Sequence, residues 1–325
     1  ENMVLNIKRA SSLDGATINV QDVLKPFDHQ VGGHTPFTSL PNGHLLKPCE
    51  EREILFYQKM PKILKSIAPL CCSTIQGSSV STLDDSCSNC RHHQLENVVI
   101  PESIEGSPIL NKRKLSKNFI VLSDLTYRMK SPRILDLKLG TRQHGDQATV
   151  SKIACMTAKC QATTSATLGI RLCGMKIPFL EQNSQNFAPN FAPNSAAPNF
   201  APKSEISINK YMGRSMDKTD LFLAVKQFFD VPEAVLEEVE RRLLGIRDVL
   251  CGADGVRLFG ASLLIVIESN FSDSQLPIDN LVRIKVVDFA NATFGGLQGD
   301  SFYDGRDDGS ILGLETLLEI VKGKN

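Results

Sequence analysis

The sequence predicts an α+β chain of two lobes with a cleft between them, and three observations carry that expectation. The first third reads as short strands and turns, with Gly32-Gly33 and Pro41-Asn42-Gly43 as turn signals. The larger remainder mixes two periods: Val282, Ile284 and Val286 alternate with Arg283 and Lys285, whereas Leu221, Phe222, Val225, Phe228 and Phe229 form a helical stripe. The chain has 325 residues, 42% of them hydrophobic, so a sizeable core is available without a disulfide or metal staple.

Taken in order, Leu45 and Leu46 lead to Lys47, and Glu50 to Lys59 reads as a helix with acidic residues in its first turn, stopped by Pro61. Residues 71–118 are rich in Ser, Asn and Lys and read as a long, partly disordered insert with one embedded strand near Leu95 to Ile100. Phe119 to Leu122 and Pro132 to Leu139 read as buried strands, and Ala148, Ile153, Met156 and Cys160 space a helix over Asp146 to Lys159. Asn186 to Pro202 is a degenerate Asn-Phe-Ala-Pro repeat whose prolines block helix and sheet alike. A second amphipathic helix follows on Val235, Leu236, Val239, Leu243 and Ile246, then strands over Val256 to Ile267 and Val282 to Phe289, then a helix over Ile311 to Val321. Asp307 to Ser310 supply its N-cap region. The expected division is an N-terminal lobe over 1–122, containing the 71–118 insert, and a C-terminal catalytic lobe over 123–325, containing a low-complexity insert at about 178–207.

Thirty-six basic and thirty-six acidic residues balance to a formal charge of zero, which excludes a globally basic nucleic-acid binder. Glu1 to Ala10 lacks a signal-peptide hydrophobic run, and no window approaches the roughly 18 apolar residues of a membrane span. Nine cysteines without regular spacing read as reduced thiols, and the expected location is cytoplasmic or nuclear. Cys87, Cys90, His92 and His93 have metal-ligand residue types, but four ligands from one tight loop is unusual geometry and no second Cys-X-X-Cys exists.

The chemistry concentrates in Pro132-Arg133-Ile134-Leu135-Asp136-Leu137-Lys138-Leu139-Gly140. On a strand, Asp136 and Lys138 project from one face and Leu135, Leu137 and Leu139 from the other. A carboxylate beside an ammonium suits phosphoryl transfer, the lysine neutralising charge and the carboxylate orienting a hydroxyl or accepting its proton. An isolated Asp-X-Lys is usually a surface ion pair. Here Lys130, Arg133, Lys138, Arg142, Lys152 and Lys159 fall close together against only Asp136 and Asp146, which marks a candidate anion site.

The register Pro-X-X-X-Asp-X-Lys-X-Gly resembles the signature of the inositol polyphosphate kinase family. The run Gly140 to Asp146 (Gly-Thr-Arg-Gln-His-Gly-Asp), Thr164 to Gly169, and Arg171 to Met175 resemble its inositol hexakisphosphate kinase branch. Similar matches are His29 to His34, Asn209 to Arg214, Ser262 to Leu264, Val287 to Phe289, Asp304 to Asp307 and Gly313 to Glu315, so the resemblance runs from about residue 27 to 321, interrupted by the inserts.

The resemblance implies a two-lobed α+β fold, distantly protein-kinase-like, with antiparallel sheets and ATP in the cleft between the lobes. It implies ATP and Mg2+ as cofactors, an inositol polyphosphate as the small-molecule partner, and the 5-diphosphate of inositol hexakisphosphate as product. It places Lys47 on the ATP phosphates with Glu53 holding it, Ser262 near the phosphates, Asp288 on the metal, and Asp136 and Lys138 in catalysis. The connection between lobes, by distance from Pro132, falls at Leu122 to Leu125 and puts Asp124 against adenine; Leu95 to Val98 is similar to the family's hinge sequence but lies further away. Arg142, His144, Lys152, Lys159, Lys210 and Arg214 are the candidate cations for inositol phosphates, since many phosphates on one ring demand many donors. A multikinase, a trisphosphate 3-kinase and an inactive inositol-phosphate-binding scaffold remain as alternatives.

Overall fold

A computed structural model describes residues 5–9, 25–33, 35–40, 43–77, 79–84, 93–98, 118–179, 205–271 and 277–323. The Asn186 to Pro202 repeat and Cys87, Cys90 and His92 lie outside the described residues.

Among the described residues, three antiparallel sheets organise the fold. The first is a two-stranded pair of β1 (Leu5–Arg9) with β7 (His93–Val98). The second has six strands in the order β2-β3-β4-β8-β5-β6: β2 (Lys25–Pro26), β3 (Thr38–Leu40), β4 (His44–Pro48), β5 (Cys71–Gln76), β6 (Ser79–Thr82) and β8 (Asn118–Ser123). Helix α1 (Glu51–Lys59) leaves β4 and buries Ile54, Phe56 and Tyr57. The expected helix at this place is therefore present, with Glu51 and Glu53 in its first turn.

The insert reading of 71–118 is corrected at its start. Cys71–Gln76 is an inner strand of the six-stranded sheet, paired with β8 on one side and β6 on the other. Its first five residues are buried, so the Cys, Ser and Thr side chains fill a packed sheet rather than a solvated loop. The embedded strand near Leu95 is present as β7, paired with β1. The chain instead leaves the six-stranded sheet at β8 and enters the next sheet at β9 (Pro132–Leu139), so residues 124–131 make the crossing.

The third sheet has the order β11-β10-β9-β12-β13, adding β10 (Ile170–Pro178), β11 (Glu205–Ile208), β12 (Ser262–Glu268) and β13 (Val282–Val287). The strand expected from Val256 begins only at Ser262, because Gly255 and Gly260 take φ of +71° each and turn the backbone out of the extended region. On β13 the alternation holds, yet the charged face is covered: Arg283 donates to the carbonyls of Leu125 and Tyr127, and Lys285 to that of Ser66.

Helices follow in this part of the chain: α2 (Val150–Gln161), α3 (Ser165–Leu168), α4 (Lys210–Ser215), α5 (Lys218–Phe228), α6 (Glu233–Gly252), the short α7 (Ile278–Leu281) and α8 (Asp308–Val321). All but the largely exposed α2 pack on the sheet. The helix expected from Asp146 starts at Val150, where the Thr149 side chain accepts from Lys152 N; Asp146 and Gln147 form a turn instead. Asp307 caps α8 by accepting from Ser310 N, as the sequence suggests. One apolar cluster joins Ile54 and Phe56 of α1, Leu135, Leu137 and Leu139 of β9, and the inner faces of α5, α6 and α8. Phe56 stacks on Phe289, ring centroids 4.6 Å apart, which fixes α1 against the end of β13. No helix among the described residues is long and apolar enough to cross a membrane.

Candidate active site

The antiparallel register assembles the site. Residues directly opposed on neighbouring strands share a face. Lys138 of β9 is opposed by Arg171 of β10 on one side and Ser262 of β12 on the other. Asp136, two residues earlier on the same face, is opposed by Gly174 and Leu264. Leu135, Leu137 and Leu139 point into the core and are fully buried, so the other face is fixed as the polar one.

This polar face is covered by the loop that follows β2. A Cβ on Gly174 would stand 2.1 Å from the Val31 carbonyl oxygen, and one on Gly32 would stand 1.8 Å from Asp136 Oδ2. At Gly174 the clash is with backbone, at Gly32 with the carboxylate itself, so the loop crosses directly over Asp136. Asp136 is consequently buried, and its Oδ1 has no hydrogen-bond partner. Burial pushes the Asp136 carboxyl up from its ordinary range, opposed by Lys138 and reinforced by the Asp288 charge. The Ser262 hydroxyl lies close enough to favour the carboxylate but falls short of hydrogen-bond geometry, leaving its own oxygen without a partner.

At the other edge, Lys47 on β4 donates from Nζ to Glu53 Oε1 at 2.7 Å and to Asp288 Oδ1 at 2.6 Å. Glu53 also accepts from Phe289 N at 3.3 Å, so one buried carboxylate of α1 holds both the lysine and the backbone beside Asp288. Burial alone would lower the Lys47 pKa, but the Asp288 and Glu53 charges outweigh it and hold the ammonium charged well above the ordinary lysine value. Burial alone would raise Asp288; Lys47 and then Lys138 outweigh it and bring the carboxyl down to about 2. Asp288 has φ of +67°, a left-handed conformation that Asp tolerates better than most residues. Strain of this kind persists only where surrounding contacts over-determine the position, as the Phe289 stack does here.

The remaining predicted residues separate into groups. Lys138 Nζ donates to the Gly260 carbonyl at 2.7 Å. Asp124 accepts from Thr126 N and Thr126 Oγ1, each at 2.7 Å, and so shapes the 124–131 crossing as an Asx-type turn. Arg142 stacks on Phe259 at 3.9 Å and directs its nitrogens to the His144 carbonyl, Tyr303 Oη and Asp146. Its geometry is that of an anchor for the loop after β9. His144 lies in that loop with Nδ1 3.3 Å from the Gly145 carbonyl oxygen. Lys152 and Lys159 are seven residues apart on the largely exposed α2, hence on one stripe. Lys210 and Arg214 of α4 flank the exposed Tyr211 ring at 5.5 Å each. Arg133, one of the cluster that marked the anion site, is buried instead and donates to Ser269 Oγ and the carbonyls of Phe228 and Asp230.

Arg171 opens the Arg171 to Met175 match but has no site role in the sequence reading, yet it joins two parts of this surface. It is 95% buried by its 5% exposure, its Nε has no partner, and its Nη1 donates to Thr163 Oγ1 at 3.2 Å. Thr163 lines an open cleft of about 500 Å³ with Gln161, Thr167, Arg214 and Lys218. Only the β9–β10 register reveals that Arg171 stands beside Lys138. Among the described residues no group of three or more His, Cys, Asp or Glu side chains is placed to hold a metal by itself.

A family profile described as inositol polyphosphate kinase matches residues 119–322. Inositol hexakisphosphate kinase 1 of Mus musculus is 29% identical over 246 residues, covering 65% of this chain and 52% of that protein, so the chain spans about half the length of such relatives. Inositol hexakisphosphate kinase 2 of Homo sapiens is 25% identical, covering 92% of this chain and 94% of that protein. The solved inositol phosphate multikinase of S. cerevisiae, in complex with ADP and Mn2+, superposes with a TM-score of 0.58 at 25% identity, covering 86% of this chain and 98% of that one. With the profile covering well over half of the chain and taking in the Asp136–Lys138 strand near its start, the chain belongs to the inositol polyphosphate kinase family.

Proposed function

We propose that this chain is an ATP-dependent inositol hexakisphosphate kinase that makes a diphosphoinositol pentakisphosphate. The observation that carries this reading is the convergence of two groups: Lys47 and Glu53, both buried, with the half-buried Asp288, and the Asp136–Lys138–Ser262 face, where Asp136 and Ser262 are buried. Relatives named inositol hexakisphosphate kinase support the choice of acceptor.

In this reading a phosphate oxygen of the acceptor bonds to the γ-phosphorus of ATP while the bond to the β–γ bridging oxygen breaks and ADP leaves. Lys47, held charged between two carboxylates, binds the ATP phosphates. Asp136 orients the acceptor oxygen and takes its proton where it carries one, and Lys138 meets the charge on the transferred group. Asp288 and the Ser262 hydroxyl fit a Mg2+ ion: both offer hard oxygen donors, the Asp288 carboxyl stays ionised, and Ser262 Oγ lacks a partner. An ion held by these two groups would supply charge neutralisation to the phosphates. Arg171, Arg214, Lys210, Lys152 and Lys159 provide the donors for the acceptor phosphates.

Incubation with ATP, Mg2+ and a panel of inositol phosphates tests this. A diphosphate product from inositol hexakisphosphate is expected. Turnover only of acceptors bearing a free hydroxyl would move the reading to the multikinase or 3-kinase alternative.

A further inference from the structure

Helix α1 carries a second charged residue next to Glu53, and it reaches a different part of the molecule. Arg52 forks onto Asp300: Nη2 pairs with Oδ2, and Nη1 lies 3.3 Å from Oδ1. The same Nη2 donates to the Ala292 carbonyl at 2.9 Å, in the turn that follows Asp288 and Phe289. The Asp300 side chain is fully buried and that of Arg52 is 14% exposed, so the pair is shielded from water. The loop holding Asp300 is itself fixed on its far side. Asp146 accepts from Ser301 N at 3.0 Å and from Tyr303 Oη at 2.6 Å, and Gln147 Nε2 donates to Asp300 Oδ1 at 3.3 Å.

We propose that Asp300 is a positioning residue for Lys47, acting through Arg52 and α1, an inference that rests on the kinase reading of the Lys47 site. Arg52 and Glu53 are consecutive, so the roll of α1 that seats Arg52 on Asp300 also sets where Glu53 holds the Lys47 ammonium. The contact with the Ala292 carbonyl draws in the turn after Asp288, which is the second carboxylate on Lys47. One guanidinium thereby brackets both partners of the lysine. A buried bidentate pair suits this because its fork fixes orientation as well as distance. Ion pairs of this burial contribute little net stability over apolar replacements, so geometry is what the pair supplies.

The test is Mg–ADP binding to the whole chain by calorimetry, well below each variant's melting temperature. Asp300→Asn and Arg52→Ala are each expected to weaken Mg–ADP by about tenfold or more, the scale seen when outer-shell partners of a site are lost. The double variant should be no weaker than the worse single one, because both changes cut the same link. Arg52→Lys should recover part of the loss, since it keeps the charge while losing the fork, a rescue that loss of general stability does not produce. Wild-type Mg–ADP affinity in Asp300→Asn, or losses that multiply in the double variant, would overturn the proposal. If Asp300→Asn does not fold, wild-type affinity in Arg52→Ala overturns it equally. A wild type that binds Mg–ADP but leaves inositol hexakisphosphate untouched would defeat the proposed acceptor alone, because this measurement needs no acceptor.

Discussion

Lys47 Nζ and Asp288 Oδ1 lie 2.6 Å apart although 241 residues separate them in sequence. The contact ties the six-stranded sheet to the end of β13, and the shared partner Glu53 makes it a three-way arrangement. Replacing Asp288 with Asn removes the charge with little change of shape. Turnover should fall by at least about 10³, given that charge stabilisation of phosphoryl transfer is concentrated in such groups. The melting temperature should change by only a few degrees, because Glu53 still pairs with Lys47. Near-normal kcat at limiting Mg2+ in this variant would rule out the metal role.

Lys138 and Lys152 should separate in kinetics. Lys138 stands on the Asp136 face, between Arg171 and Ser262, whereas Lys152 is exposed on α2. Lys138→Ala is expected to lower kcat on the order of 10² to 10³ or more, as for loss of a group acting in the transition state. Lys152→Ala should raise KM for the inositol phosphate and keep kcat. Measured together at saturating ATP, a Lys138→Ala enzyme that loses only affinity would end the catalytic assignment.

Gly32→Ala probes the loop over Asp136. Its Cβ would fall 1.8 Å from Asp136 Oδ2, so the loop must lift or the carboxylate must turn. Overpacking of this kind costs about 1–3 kcal/mol, and kcat should fall with it because Asp136 is displaced. Normal activity and melting temperature together would show that the loop is not seated on the carboxylate in solution.

Asp146 gives a pH signature. Burial alone would raise its carboxyl, but hydrogen bonds from Tyr303, Ser301 N and Arg142 outweigh it and leave the group below its ordinary 3.8. A carboxyl lowered on folding adds stability that is complete above the unfolded value and disappears as pH falls through the folded one. The melting-temperature gap between wild type and Asp146→Asn should therefore be constant from about pH 7 to 5 and narrow below about pH 4. A gap that persists undiminished into strong acid would mean Asp146 acts by packing alone.

The sequence by itself determined the strand carrying Asp136 and Lys138, the α1 helix with Glu53, and the amphipathic helices α5 and α6, because each is written in a local period or a contiguous motif. Its errors were local as well. Cys71–Gln76 reads as polar linker, although a sheet on both sides makes it an inner strand, and Val256 reads as strand where two left-handed glycines turn the chain away. What only the tertiary structure decided are relations between distant segments. Strand register alone sets Arg171 and Ser262 on either side of Lys138, and packing of the loop after β2 alone puts Gly32 on Asp136. Arg142, a convincing phosphate ligand by charge and position, is drawn instead to Phe259, Tyr303 and Asp146. The physical reason is common to all of these. Which partner a side chain meets depends on burial and register accumulated over long sequence separations, whereas motif and period record only what its own segment can form.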